Sequence, residues 1–352
     1  MSQIQAEQIV AFGQPLERRC YEIPRPKGTE VLVRITASGV CHSDVHVQDG
    51  YFDLGGGKKA NFGAALKLPL TAGHEIAGEV VALGPEAKGA AVGDRRIVYP
   101  WIGCGTCKRC LTDQELLCGD KRSLGIRADG GFADHVLVPH AKYLVPHDGL
   151  TDTQACTLAC SGITALSALK KLPKMTSEDR LLIIGAGGVG LSAIGFAPSV
   201  TQATVIVADI TEEKRKAAVA AGAADAVDST DPNVKDRVKQ LAPEGFFGVV
   251  DFVGSEATVK FGIDNLGRGG TFVLVGLFGG TFPLALPGFS GRMISIRGSF
   301  VGTLAELHEA ARLLAKKPKS GVPVSTRPMA EANAALDDLR AGRAVGRIVL
   351  VP

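Results

Sequence analysis

The sequence predicts an α/β protein in which a β-rich amino-terminal part precedes a doubly wound parallel sheet. Residues 20–100 alternate short β-type runs, such as 31–35 and 79–83, with Gly and Pro turns, as in a small barrel. Within this part, Asp53–Ala65 has the glycine content of a surface loop. From about residue 155, strands alternate with helical stretches, which is typical of parallel βαβ units. A chain of 352 residues is long enough for two such domains.

Charge and hydropathy exclude some classes of partner. The chain has 39 Lys and Arg against 36 Asp and Glu and no basic tail, so we expect no nucleic acid partner. The first residues lack a cationic and an apolar region, so we expect a cytoplasmic protein with no secretion signal. Leu181–Val200 is uncharged and long enough to span a membrane, but it contains five glycines and a proline. It is therefore predicted to be a buried strand, turn and helix, and no membrane association is expected.

Half of the eight cysteines lie close together in one segment. They are Cys104, Cys107, Cys110 and Cys118. This spacing lets four thiolates from one loop surround a tetrahedral ion, which predicts a structural zinc site. An iron–sulfur cluster is the competing interpretation, because three cysteines at this spacing also open the bacterial ferredoxin motif. The fourth cysteine follows seven residues later instead of three, and no proline comes after it, which favours zinc.

A glycine-rich turn follows the predicted strand 180–184. Its candidate cofactor-binding residues are Gly185, Gly187, Gly188, Val189 and Gly190. The pattern G-x-G-x-x-G after a strand and before a helix allows close approach of a dinucleotide pyrophosphate. A second strand, 204–208, ends at Asp209, where this motif requires an acid for the adenosine ribose hydroxyls. A carboxylate there would repel a 2′-phosphate and so favours NAD over NADP, although Asp209 could instead cap a helix that begins near Thr211.

Three further segments carry a family resemblance. They are Gly39–His46, Gly73–Gly78 followed by Gly84, and Cys160–Ala165. Together they resemble the zinc-containing alcohol dehydrogenases of the medium-chain dehydrogenase/reductase superfamily, and length and pattern are closest to the bacterial and archaeal tetrameric branch. The resemblance extends over nearly the whole chain, including the four-cysteine segment and the carboxyl-terminal Gly346–Leu350.

This resemblance implies a domain organisation and a set of cofactors. It implies a GroES-like β-barrel catalytic domain formed by 1–154 and 296–352, with a structural zinc lobe at about 100–120. A six-stranded Rossmann domain for NAD would occupy 155–295. Two zinc ions per subunit, one catalytic and one structural, and a homotetramer are further implications.

The resemblance also assigns a reaction and its central residues. Cys41, His74 and Cys160 match the ligands of the catalytic zinc, a Cys₂His set that leaves one position open for substrate. The metal would favour ionisation of the alcohol, and NAD would accept the hydride in a reversible reaction. Ser43 and His46 match the family's proton relay, which runs from a hydroxyl through the cofactor ribose to a histidine. Read alone, Ser43 could be a turn hydroxyl and His46 an exposed histidine.

Supporting roles follow from the same resemblance. Asp44 matches a carboxylate that contacts the ligand imidazole, and Glu75 matches one that lies behind the zinc. His42 and Arg347 match residues at the cofactor pyrophosphate, and Lys214 matches a lysine near the adenosine ribose. Without an alignment, Arg347 and Lys214 could equally be surface cations.

Several alternatives stay open at the level of sequence. Cys156 precedes Cys160 by four residues and would share its face on a continuous helix, which makes it a rival ligand. The substrate would be a primary or secondary alcohol, aliphatic or aromatic, and the product an aldehyde or ketone. A polyol dehydrogenase, a zinc-free reductase of the same superfamily and a non-enzymatic zinc- and NAD-binding protein are the competing functions. Candidate pocket aromatics are Tyr51, Phe52, Trp101 and Phe278.

Overall fold

The computed structural model describes residues 3–352, and its strands fall into two units of different construction. The strands of the first unit are β1 (Gln3–Ile9), β2 (Glu17–Glu22), β3 (Val31–Gly39), β4 (Tyr51–Asp53), β5 (Lys59–Asn61), β6 (Leu70–Thr71), β7 (Glu75–Leu83), β8 (Arg95–Val98), β9 (His135–Val138) and β10 (Leu144–Pro146), joined late in the chain by β17 (Val324–Pro328) and β18 (Arg347–Val351). The strands of the second unit are β11 (Arg180–Ile184), β12 (Thr204–Ala208), β13 (Asp225–Val227), β14 (Phe246–Asp251), β15 (Leu266–Leu274) and β16 (Ser295–Gly298).

The helices connect and cover these sheets. They are α1 (His42–Asp49), α2 (Asp152–Thr157), α3 (Ile163–Leu169), α4 (Gly188–Val200), α5 (Glu212–Ala220), α6 (Val234–Leu241), α7 (Glu256–Asp264), α8 (Leu286–Gly291), α9 (Leu304–Lys316) and α10 (Ala332–Arg340). Every residue of α3 is buried, and its side chains belong to a core that contains residues of both units. The helix therefore fixes one unit against the other.

The first unit is built around β3, which pairs antiparallel with β7, β9 and β18. Its largest sheet has the order β10-β8-β7-β3-β18-β17, with β9 attached to β3, and a separate sheet has the order β2-β1-β6. Because β18 returns from the carboxyl terminus to lie beside β3, the two ends of the chain complete one unit. We propose that the amino- and carboxyl-terminal segments together form one domain.

The second unit confirms the predicted six-stranded doubly wound sheet. All of its strand pairs are parallel, in the order β13-β12-β11-β14-β15-β16. The order reverses between β11 and β14, and ligands of such sheets bind at the carboxyl ends of the strands at that switch point. The boundary predicted between 295 and 296 falls inside β16, which pairs with β15. We therefore propose that the break follows Gly298.

Two other predictions can be compared with the fold. Leu181–Val200 divides into most of β11, the glycine turn and α4, as predicted, and in residues 3–352 no helix has the length and hydropathy to span a membrane. The prediction of a loop over Asp53–Ala65 is wrong in part. β5 pairs with β4 in a hairpin through a turn at Gly55–Gly57, and Gly63–Ala65 forms a short 3₁₀ helix.

Candidate active site

Cys41 lies between the end of β3 and the start of α1. Asp44, in the first turn of α1, accepts a hydrogen bond from the Cys41 N–H at 2.8 Å through Oδ2. Through Oδ1, the same carboxylate accepts one from the Gly73 N–H at 3.2 Å. A carboxylate at this position also interacts favourably with the helix dipole. Asp44 therefore holds together two segments that are distant in sequence.

The second of these segments positions His74 just before β7. Gly73 has φ +88°, and a Cβ there would lie 2.8 Å from the backbone nitrogen of Phe132, so only glycine fits. The His74 ring is fully buried, and its Nδ1 lies 2.9 Å from Asp44 Oδ1, the contact that the resemblance implies. Its Nε2 has no hydrogen-bond partner among the described residues. An unpartnered buried nitrogen is costly unless it binds something else.

Cys160 lies on a π-helical turn, Leu158–Gly162, inserted between α2 and α3. Such turns are rare and are frequent at functional sites. A regular helix would have placed Cys156 and Cys160 on one face, but here the Cys156 thiol donates to the carbonyl of Thr153 at 3.4 Å. Cys160 is the cysteine brought to Cys41 and His74.

These three residues form a candidate metal centre. One donor atom of each of Cys41, His74 and Cys160 lies within 4.8 Å of the others, and all three side chains are buried. A hydrogen bond from the Cys160 thiol holds the pKa of the Cys41 thiol well below its usual value, against the effect of burial. Burial acts to lower the pKa of His74, but the Asp44 carboxylate outweighs it and the pKa is raised. Two sulfurs and one imidazole are the donor set of a catalytic zinc site.

Behind this centre, Glu75 and Arg347 form a buried ion pair between β7 and β18. Arg347 Nε donates to Glu75 Oε2 at 2.9 Å, and Glu75 Oε1 accepts from the Ser161 N–H of the π turn at 3.0 Å. Burial raises the pKa of Glu75 despite the guanidinium beside it. A Cβ placed at Gly188 would lie 3.2 Å from Arg347 Nη1, so the arginine also borders the glycine turn. Its main contact is thus with Glu75, which sequence reasoning did not pair with it.

The two candidate proton-relay residues lie on α1, beside the metal centre. Ser43 and His46 line the same cavity as Cys41. The His46 ring lies 5.0 Å from that of Phe52 and 5.5 Å from that of His42. Burial lowers the pKa of His46, and His42 lowers it further. His46 is therefore a partly enclosed base and not an exposed histidine.

The glycine turn has the geometry that a nucleotide requires. Gly185 has φ +91°, and a Cβ at Gly190 would lie 1.8 Å from the carbonyl oxygen of Gly185. Gly187 precedes α4 and has open space where its Cβ would be. The first two features close the turn, and the third leaves backbone N–H groups at the helix start accessible to an anion.

Asp209 closes this turn from the end of β12. Its Oδ2 accepts from the Ala186 N–H at 2.8 Å, and its Oδ1 accepts from the Thr211 N–H at 2.9 Å. Asp209 thus accepts hydrogen bonds from the glycine turn and from the residue before α5. Both predicted roles, at the nucleotide site and as a helix cap, therefore have a structural basis. Lys214 is partly exposed on α5. The pKa of His42 is lowered, first by burial and then by cations that include Arg347 and Lys214.

The four cysteines of the 104–118 segment converge as predicted. The sulfur of Cys110 lies 3.5 Å from that of Cys107 and 3.9 Å from that of Cys104, and Cys107 is 3.7 Å from Cys118. A tetrahedron with metal–sulfur bonds of 2.3 Å has edges of about 3.8 Å. The spacing fits one zinc ion and leaves no room for the irons and sulfides of a cluster.

One acid joins this lobe to the rest of the first unit. Glu115 accepts hydrogen bonds from the Gly103 N–H, the Tyr143 hydroxyl and Lys142 at 2.9, 2.8 and 2.7 Å. These contacts lower the pKa of Glu115 although burial opposes them.

A cavity of about 330 Å³ opens from the metal centre toward the glycine turn. Of the aromatic residues considered at the sequence level, Phe52 and Trp101 line it, whereas Tyr51 does not and Phe278 packs against His42. Sequence reasoning missed most of the wall, which includes Phe62, Leu66, Ile126, Thr164, Leu277 and Phe300. Of these residues, only Thr164 could have been found from the sequence, because it belongs to the segment that contains Cys160. Its hydroxyl has no hydrogen-bond partner among residues 3–352.

Comparisons with known proteins agree with this geometry. Residues 27–148 match the model of the alcohol dehydrogenase GroES-like domain, and residues 188–316 match that of the zinc-binding dehydrogenases. The chain is 37% identical over 350 residues to an NAD-dependent alcohol dehydrogenase of Sulfurisphaera tokodaii, with 99% of this chain and all of the relative covered. The chain belongs to the zinc-binding alcohol dehydrogenase family.

Two other matches support membership of this alcohol dehydrogenase family. An NAD-dependent alcohol dehydrogenase of Saccharolobus solfataricus is 36% identical over 351 residues, covering 99% of this chain and all of the relative. The crystal structure of the alcohol dehydrogenase of Aeropyrum pernix has a TM-score of 0.88 at 33% identity, covering 99% of this chain and all of that one.

Proposed function

We propose that this protein is a zinc-dependent, NAD-linked alcohol dehydrogenase that interconverts a primary or secondary alcohol with its aldehyde or ketone. The observation that carries the proposal is the buried group of Cys41, His74 and Cys160, of which the two cysteines line an apolar cavity. A structural metal site would have closed its fourth position with a protein ligand. This site instead presents that position to a space large enough for a small molecule.

The donor set and the unpartnered His74 Nε2 fit a zinc ion. When bound, zinc supplies the Lewis acidity that favours ionisation of the alcohol, and NAD supplies the hydride acceptor. Asp44 would favour the His74 tautomer with Nδ1 as donor, which would leave the Nε2 lone pair available to a metal ion. The ion pair of Glu75 with Arg347 holds β7, β18 and the π turn in register behind the donors.

Proton removal is assigned to the residues of α1. Ser43 lies on the cavity wall, where its hydroxyl would accept the proton of the alcohol and release its own toward His46. His46 holds the proton at a partly enclosed ring and passes it to solvent. Its lowered pKa keeps the ring neutral, and so able to accept a proton, at a lower pH than for a free histidine.

NAD is assigned to the second unit. Gly187 and the start of α4 would receive the pyrophosphate, with Arg347 and Lys214 as nearby cations and His42 as a nearby imidazole. Asp209 would receive the adenosine ribose hydroxyls and disfavour the additional phosphate of NADP. The remaining turn residues Gly185, Gly188, Val189 and Gly190 shape the backbone against which the cofactor packs.

The cavity favours an apolar alcohol over a polyol. A polyol needs hydrogen-bond partners for every hydroxyl, since an unpaired buried polar group is costly. Aromatic and aliphatic side chains dominate this wall. The third metal donor is also Cys160 and not an acid, which the resemblance associates with the alcohol branch.

Further parts of the assignment concern the whole protein. Cys104, Cys107, Cys110 and Cys118 would hold a second, structural zinc. All eight cysteines are free, which supports a reducing, cytoplasmic location.

We also propose a homotetramer, as in the branch that the sequence resembles. Apolar residues exposed near β16, including Leu286, Met293 and Ile296, offer a surface for subunit contacts.

The experiment that tests the function measures kcat/KM for NAD reduction with short, long, secondary, cyclic and benzylic alcohols and one polyol. The measurements are repeated after chelation and after zinc is restored. We expect activity with at least one alcohol class that is lost and recovered with zinc. Zinc and NAD binding without turnover of any alcohol would favour the non-enzymatic alternative, and activity confined to the polyol would favour the polyol alternative.

A further inference from the structure

Two cations that follow the zinc lobe in the chain lie on the cavity wall or beside one of its residues. Arg127 lines the cavity and is exposed. Lys121 lies near it, with its Nζ 5.0 Å from the ring of Phe300, another wall residue. Within residues 3–352, neither cation has a carboxylate within ion-pair distance.

Other cations of the same region have acidic partners. Arg122 lies 3.8 Å from Asp120, and Lys142 lies 2.7 Å from Glu115. Burial lowers the pKa of Lys121, and the charge of Arg127 lowers it further. Lys121 and Arg127 therefore repel each other at the cavity, and an anion between them would relieve that repulsion.

Aromatic side chains lie between Lys121 and the metal donor His74. The ring of Trp101 lies 5.3 Å from that of His74, and the ring of Phe300 lies 5.7 Å from that of Trp101. The Nζ of Lys121 in turn lies over the ring of Phe300. A ligand extending from the metal centre along this wall would meet apolar surface first and positive charge last.

We propose that the substrate is an alcohol with a carboxylate at its far end, separated from the hydroxyl by an apolar spacer. Hydroxyalkanoic acids with a terminal hydroxyl and (hydroxymethyl)benzoates belong to this class. The proposal rests on the proposed function and deepens it. Arg127 would bind the carboxylate, for which the guanidinium has a matching pair of donors, and Lys121 would add charge.

The cofactor phosphates are not the anion that Arg127 and Lys121 would bind. They are assigned to the glycine turn of the second unit, where Arg347 borders Gly188. Arg127 instead lies between β8 and β9 of the first unit and lines the cavity together with Ser43 and His46.

The experiment compares 4-(hydroxymethyl)benzoate with benzyl alcohol and with the neutral methyl ester of the acid. The zinc-loaded protein should oxidise the acid with a kcat/KM at least about tenfold above that of either neutral alcohol, the effect of one charge-assisted hydrogen bond. The advantage should lie mainly in KM and should shrink as salt is added. Arg127→Gln should remove most of the preference, Lys121→Gln a smaller part, and Arg127→Lys should retain some of it.

Arg122→Gln is the matched control, because this neighbouring cation has an acidic partner outside the cavity wall, and it should keep the wild-type ratio. Equal kcat/KM for acid and ester, or an Arg127→Gln variant that keeps the ratio, would overturn the proposal while leaving the dehydrogenase assignment intact. Absence of turnover with benzyl alcohol and every other alcohol would instead be a failure of the proposed function.

Discussion

The two candidate zinc sites of this protein differ in how their donors are assembled. The four-cysteine lobe takes all its donors from 104–118, and two of its cysteines are partly exposed. The other centre takes Cys41, His74 and Cys160 from three elements in different parts of the chain, all buried. The lobe offers four protein donors, whereas the dispersed centre offers three and faces a cavity.

The number of donors and their positions in the chain suit one site to a structural role and the other to a catalytic role. Four donors saturate a tetrahedral ion, which then acts as a cross-link within one loop. Three donors leave one position to a substrate, but only if the surrounding fold holds them in place. Asp44, the π turn and the pair of Glu75 with Arg347 provide that support here. The dispersed centre thus depends on the whole first unit, and the lobe does not.

Removing a donor from the dispersed centre should have the largest effect. Cys41→Ser or His74→Ala should lower kcat/KM by about 10³-fold or more, because several kcal/mol of Lewis-acid stabilisation is lost. Zinc content should fall from two ions to one per chain, while NAD binding persists. The control Cys156→Ala removes a nearby buried thiol that is not a donor and should stay active. Substantial activity in His74→Ala would contradict the assignment.

Removing a donor from the lobe should affect stability instead. Cys107→Ser should lower Tm by roughly 10 °C, because a structural zinc contributes to folding free energy. Activity per folded molecule should remain close to that of the unmodified protein. The exposed Cys20, changed to Ser, is the control and should have no effect on either. Loss of activity with an unchanged Tm would reverse the roles given to the two sites.

A change next to the dispersed centre should have an intermediate effect. Asp44→Asn keeps the side-chain shape but removes the charge that faces His74, so zinc affinity or kcat/KM should fall about 10- to 100-fold. Zinc titration of the metal-free protein provides the measurement. Asp49→Asn, at the other end of α1, should keep wild-type affinity. Equal behaviour of the two variants would mean that Asp44 has no influence on the metal.

The pH profile should report on His46. A neutral histidine accepts a proton and a protonated one does not, so activity should fall with decreasing pH. Because the pKa of His46 is lowered, this fall should occur below about pH 6.5, the ordinary value. His46→Gln should remove the acid limb and lower the plateau about tenfold. His308→Gln removes a half-buried histidine of α9 whose pKa is also lowered, and should leave the profile unchanged.

A change in the second unit should have the smallest effect and should leave both zinc sites intact. Asp209→Gly should reduce the NAD-to-NADP preference in kcat/KM several-fold to about tenfold, because a repulsive charge is removed. Glu212→Gln, an exposed acid at the start of α5, is the control. An unchanged preference in Asp209→Gly would assign that carboxylate only to closing the glycine turn.

Sequence reasoning predicted the parts that depend on local spacing. The four-cysteine lobe, the glycine turn and the strands at 180–184 and 204–208 all consist of neighbouring residues whose pattern carries the structure. The hairpin of β4 and β5 was missed because each strand has three residues, too few for an alternating pattern. A domain boundary between 295 and 296 would divide β16, which pairs with β15 as far as Gly298.

The sequence by itself determined the two-unit α/β plan and, through family resemblance, predicted the candidate donors of both metal sites. Only the tertiary structure decided that Arg347 pairs with Glu75, that Cys160 lies on a π turn, and that Arg127 lines the cavity with Lys121 beside Phe300. The physical reason is the separation along the sequence of the residues that make contact. A spacing motif records contacts within a few residues, whereas a cavity wall and a buried ion pair join residues tens to hundreds of positions apart that meet only when the sheets are complete.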